Sequence, residues 1–406
     1  MPSPSLTRRL WICSLAALAA ASAAPHKRHQ SEVGADPSLC KLVADPSVRP
    51  YDVWFPEDIP SSSQNPFVSS IGTLKTAMIF IDFPDARANE TTDSLYNIFV
   101  PSAPNWFHTA SYGKLNLSVT APAKRFFRMP AASTSYGVVR NLSLEAHHKY
   151  IQEALSAVGT QIDFTGIEIL YIVATTAAKA ITLTAEYPEP VIAADGNKVP
   201  RTVTFSMSDP LSYGYKDMNH ETGHCMGLPD LYPLQGSWRE TTKWTGGFDL
   251  MSSVWGVAPD YFAWHKWKLG WLEDQQIGCV PAGSKDSATF VLSPLEVSAD
   301  NASAKKAVVV AYDETNALVA EARTRKGVDN ATCAEGVLIY AVYTDVESGA
   351  GPIRVFDSMP ESRGCRGDEL NDAPFDDATL DADDYGVSIQ VSARHGDSWT
   401  VTVVER

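Results

Sequence analysis

The thirteen residues from His220 to Tyr232, HETGHCMGLPDLY, decide how this chain is read. On a helix, positions i and i+4 lie on one face about a turn apart. His220 and His224 therefore offer two imidazoles to one point, each able to ligate Zn²⁺ at ~2.0–2.1 Å. Glu221, beside the first histidine, is placed to take a proton from a water activated by that metal. Gly227 follows His224 by three residues, where a helix ends in a left-handed turn. Pro229 cannot continue the helix. Asp230 then folds back as the third ligand, and the pattern reads HExxHxxGxxD.

The plain alternative is a helix whose polar residues are satisfied within the fold. A second alternative completes the site with a glutamate on a separate helix, Glu240 or Glu273. Glu240 lies in GSWRETTKWTGG, which is rich in Gly, Thr and Trp and does not read as helical. Glu273 lies near a change in sequence texture. Asp230 needs only the turn that Gly227 and Pro229 already encode, so it is the expected ligand.

Outward from the motif, Thr76–Phe83 (TAMIFIDF) and Ile167–Ala174 (IEILYIVA) read as buried strands. Asn141 to Val158 carries apolar residues on one helical face. Thr202–Met207 alternates, which predicts a half-buried strand, a possible edge for an extended peptide. From about Gln275 short alternating strands and turns take over, as in Ala307–Tyr312, Gly336–Tyr343, Val387–Ala393 and Ser398–Val404. The expected organisation is an α/β domain over 71–274 and an all-β, sandwich-like domain over 275–406.

The chain resembles the immune inhibitor A family of the metzincin zinc peptidases. The resemblance rests on GTLKTAMIFIDFPDA from Gly72, SYGKLNL from Ser111, HETGHCMGLPDLY from His220, GGFDLMS from Gly246 and HKWKLGW from His265. It covers roughly residues 70–275, with weaker likeness in ALVAEARTRKG and EGVLIYAV beyond. It implies a metzincin-like α/β fold, an extracellular setting and zinc-dependent hydrolysis of peptide bonds in protein or peptide substrates. It carries zinc ligation to His220, His224 and Asp230 and the catalytic role to Glu221. Met251 fits the methionine turn that lies beneath the metal. Some metzincins place a tyrosine two residues after that methionine; here Ser253 stands there. The chain is short for the family, and its N-terminal segment lacks a zinc-blocking cysteine motif, a disulfide being the better reading of Cys40. The other function classes left open are a metzincin-fold binding protein without activity and a zinc hydrolase of a non-peptide amide.

The N-terminus reads as an export signal over 1–23: Arg8 and Arg9, then an apolar run from Leu10 to Ala20, then Ala21-Ser22-Ala23. Residues 24–70 read as a pro-segment or loose arm, with Lys27-Arg28 either a processing site or two solvated charges. Without Arg8, Arg9, Lys27 and Arg28 the net charge of −15 becomes about −19. Such a surface repels nucleic acid and anionic membranes. Five sequons, at Asn89, Asn116, Asn141, Asn301 and Asn330, agree with secretion. An oxidising compartment favours disulfides, with Cys333–Cys365 the first pairing expected. Cys225 reads as buried and inert or as half of a disulfide. His265 reads as a core histidine near the site, and His147 and His148 as surface or core. The acidic run Asp368–Asp384 could bind Ca²⁺, but it lacks EF-hand spacing and reads better as a solvated loop.

Overall fold

The structure is a computed structural model that describes residues 35–43, 55, 66–235, 240–298 and 304–406. The expected export signal, the Lys27-Arg28 pair, Asn301 and most of the 24–70 arm lie outside the described residues.

The run around Thr76 forms β1 (Gly72–Asp82), which pairs in parallel with β2 (Leu115–Thr120), β3 (Phe126–Arg128) and β4 (Ile169–Ala174). Period-two alternation sends its side chains to two cores. Met78 and Phe80 pack on one side, with α1 (Thr92–Phe99) and α2 (Ser102–Ala110). Ala77, Ile79 and Ile81 pack on the other, with α3 (Leu144–Val158). Ser143 caps α3 by accepting the Ala146 N–H at 3.2 Å, and Gly159 ends it at φ 59°.

The chain continues through β5 (Ala185–Tyr187) and a separate short ribbon of β6 (Val191–Ile192) and β7 (Lys198–Val199) to β8 (Arg201–Phe205), which pairs with β4. Here the structure corrects the sequence reading. β8 is buried along its whole length, between β4 and β5, and is not an edge. Two of its polar residues bond to neighbouring elements: Thr204 meets His147 at 2.7 Å, and Arg201 meets Glu186 at 3.1 Å. The edge on this side of the sheet is β5, antiparallel to β8.

A short helix α4 (Ser208–Tyr213) leads into α5 (Tyr215–Cys225), which carries the motif, and α6 (Ala263–Lys268) follows. Beyond it lie β9 (Ile277–Val280), β10 (Ala288–Leu292), β11 (Ala307–Ala311), β12 (Asn316–Arg323), β13 (Gly336–Tyr343), β14 (Ile353–Val355), β15 (Ala378–Ala382), β16 (Val387–Val391) and β17 (Trp399–Glu405). They form a five-stranded sheet, β14-β13-β12-β11-β9, and a four-stranded sheet, β10-β17-β16-β15. A core including Leu318, Ile339, Ile389 and Trp399 joins the two sheets. The other face of the five-stranded sheet, with Val309, Val319 and Tyr340, shares one core with α2, α5 and α6. The described residues belong to one compact unit, and its hydrophobic core runs across residue 275.

The described parts of the N-terminal arm belong to that core. Cys40 is bonded to Cys279. Phe55 sits edge-on to Trp264 and Trp267, at 5.6 and 4.8 Å between ring centres. Val68 donates its N–H to Cys225 O at 3.0 Å. Cys333 pairs with Cys365, and Cys225 is free and buried. Asn89, Asn116, Asn141 and Asn330 are exposed. No helix among the described residues is long and apolar enough to cross a membrane.

Candidate metal centre

Helix α5 presents His220 and His224 side by side, their Nε2 atoms 3.1 Å apart. The helix stops where the sequence implies: Gly227 takes φ 96°, and Leu228 N–H returns to Gly223 O at 3.0 Å. A side chain at Gly227 would also meet the Phe67 ring at 3.0 Å. The reversed chain brings Asp230 Oδ1 to 3.3 Å from His220 Nε2 and 3.2 Å from His224 Nε2.

This triangle fits a cation. His220 Nδ1 lies 3.0 Å from Leu250 O and His224 Nδ1 lies 2.8 Å from Leu228 O. A carbonyl only accepts, so each Nδ1 carries the hydrogen, and in the neutral ring each Nε2 is left with a lone pair. Two lone pairs and a carboxylate oxygen thus face one another, and the buried Asp230 Oδ1 has no hydrogen-bond donor. Ligands held at ~2.0–2.1 Å in a tetrahedron stand about 3.3 Å apart, close to all three separations. Protonation is the other source of positive charge. Burial works to lower the His224 pKa, but the neighbouring Asp230 carboxylate outweighs it and lifts His224 to about 10. A metal that binds here displaces that proton. His220, His224 and Asp230 are the group of metal-ligating side chains found among the described residues.

Glu221 lies on the same helix, buried beside the ligands. Burial raises its pKa above the usual carboxylate range, against the pull of both histidines. The Glu186 backbone, on the edge strand β5, adds a small downward pull on that value. The Glu186 side chain is itself lifted to about 7 by burial, despite the Arg201 guanidinium beside it.

The floor of the site is built by Asp249, at φ 68°. One carboxylate oxygen accepts the Met251 N–H at 2.8 Å; the other accepts the Phe262 N–H at 2.8 Å and meets His265 Nδ1 at 3.1 Å. His265 therefore supports a turn and stands outside the ligand group. That turn presents Leu250 O to His220 and sets Met251 under α5 at Gly223. Met251 O accepts the Leu231 N–H at 3.0 Å, which ties the turn to the ligand loop.

Glu240 and Glu273 also lie outside the group. Glu273 instead pairs with Lys114 at 3.2 Å and caps a short 3-10 turn. The acidic run forms no metal-ligating group among the described residues. Its carboxylates are spread over separate tasks: Asp368 caps a turn, Asp372 accepts from Ser362, and Asp381 and Asp383 pair with Arg406.

Sequence reasoning passed over Tyr232. Burial, and then the negative charges of Asp230 and Glu221, push its phenol pKa well up, and its ring lies 6.0 Å from that of His220. The signal was present in the stretch itself, a tyrosine two residues beyond the third ligand. Compared with known proteins, the chain matches no family model and no curated protein.

Proposed function

We propose that this protein is a secreted zinc-dependent endopeptidase. The observation that supports it most is the convergence of His220, His224 and Asp230 beside a buried Glu221. His220, His224 and Asp230 would hold the zinc, which would supply a Lewis acid and a water of lowered pKa at neutral pH. Glu221 takes the proton of the attacking water and delivers it to the leaving amine. Its raised proton affinity suits both steps. Tyr232, next to Asp230, supplies the hydroxyl for the oxygen that gains charge in the transition state. Ser253 stands where some metzincins have that tyrosine, so Tyr232 fills the role from another point of the chain. An extended peptide would lie along the rim of the edge strand β5.

The likeness to metzincins of the immune inhibitor A type supports the peptidase reading over the rival classes. Two disulfides and four exposed sequons support an extracellular setting. Cleavage of casein, abolished by a chelator and restored by Zn²⁺, tests the proposal. A zinc-loaded protein that leaves casein and denatured protein substrates intact would point to an inactive binding protein or a non-peptide hydrolase.

A further inference from the structure

Asp230 is held by more than its own loop. Its backbone N–H donates to Ser348 Oγ at 2.9 Å, and its carbonyl accepts the Gly349 N–H at 2.9 Å. Leu234 N–H then donates to Gly349 O at 3.3 Å. Both backbone polar groups of the third ligand are thus taken up by the turn between β13 and β14, 118 residues further along the chain. That turn is itself anchored. Tyr343 N–H bonds Pro352 O at 2.9 Å across its base, Thr344 N–H bonds Thr315 O at 2.8 Å, and Thr344 Oγ1 donates to Val43 O at 2.7 Å.

We infer that the Ser348–Gly349 turn of the C-terminal sheet is a positioning element for the metal ligand Asp230, so that metal affinity depends on the β-rich part of the chain. The inference rests on the reading of His220, His224 and Asp230 as a metal site. Gly349 is suited to this approach and few residues could replace it. Its φ is +72°, and a Cβ there would stand 2.2 Å from Leu234 Cγ and 2.6 Å from Leu234 Cδ1. Any side chain at 349 pushes the turn away from the Asp230–Leu234 segment, which the Met251 carbonyl holds from the other side through Leu231. The carboxylate then leaves the tetrahedral edge it shares with the two histidines, a site that tolerates displacements of only about 0.5 Å.

The test is the zinc dissociation constant of the full chain, read by competition with a chromogenic chelator, together with the melting temperature. Ser348→Ala removes one acceptor and should weaken zinc about fivefold, and Ser348→Thr should restore it. Gly349→Ala should weaken zinc at least tenfold. Gly283→Ala is the control: Gly283 has φ +73° in a distant turn with nothing within 4 Å of a Cβ, so it carries the same backbone strain without the contact. It should bind zinc like the wild type. Gly349→Ala and Ser348→Ala proteins with wild-type zinc affinity would overturn the inference, as would an equal loss in Gly283→Ala. A wild-type chain that takes up no zinc would instead sink the metal site, and the inference with it.

Discussion

The Met251 sulfur occupies the place that a side chain on Gly223 would need: a Cβ there would lie 2.5 Å from Met251 Sδ and 2.8 Å from the Tyr261 hydroxyl. The helix that carries both histidines therefore rests its backbone directly on the methionine. Gly223→Ala forces these apart. It should cost about 1–3 kcal/mol of stability by overpacking and weaken zinc binding by tilting His220 and His224 away from Asp230. Thermal melts and zinc titration of the purified variant check this. Wild-type values for both would mean that the contact does not seat the helix.

Glu221→Gln should keep its zinc and lose activity by roughly 10²–10⁴-fold, because the ligands remain and the base is gone. Tyr232→Phe should also keep its zinc. Its kcat should fall by about 10²-fold with KM little changed, the behaviour of a group used only in the transition state. Metal analysis beside steady-state kinetics separates the two roles. A Tyr232→Phe enzyme with unchanged kcat would remove that residue from the mechanism.

The third ligand can be decided directly. Asp230→Ala should lower zinc affinity strongly while the fold survives, and Asp230→His should keep part of it, since imidazole is also a zinc ligand. Glu240→Ala and Glu273→Ala should bind zinc like the wild type. The reverse result, with zinc lost in either glutamate variant and kept in Asp230→Ala, would refute the assignment.

His147 predicts a pH effect away from the site. Burial lowers its pKa to about 4, and its Nε2 meets Thr204 Oγ1 at 2.7 Å. In the unfolded chain it titrates near 6.5. Between those values the unfolded chain binds a proton that the folded one refuses. The stability is therefore present above pH ~6.5 and lost as pH falls toward 4, by about 3 kcal/mol in all. His147→Gln should melt with a smaller difference between pH 7 and pH 4.5 than the wild type. An unchanged difference would mean that other groups set the acid limit.

The site was legible where it is local. The helix pitch alone joins His220 to His224, and Gly227 and Pro229 turn the chain within six residues to bring Asp230 back. What was not legible depends on partners far along the chain. The alternation in β8 promised a solvated face, but Thr204 and Arg201 bond to His147 from α3 and Glu186 from β5. The true edge, β5, is three residues long and too short to show a period. Nothing around Phe55 announces that it will lodge between Trp264 and Trp267. The pairing of Cys40 with Cys279 spans 239 residues and has no local signature.

That last bridge, and the core it shares with the five-stranded sheet, also bear on timing. His220, Glu221, His224 and Asp230 leave the ribosome well before Ser348, and Cys40 waits 239 residues for Cys279. At ~5–20 residues per second, the 118 residues between Asp230 and Ser348 take roughly 6–24 s to make. During that interval the nascent chain holds every ligand but not the turn that meets Asp230. A metal site of the proposed kind would so reach its full affinity only after the C-terminal turn has been made, an order set by the sequence of its own residues.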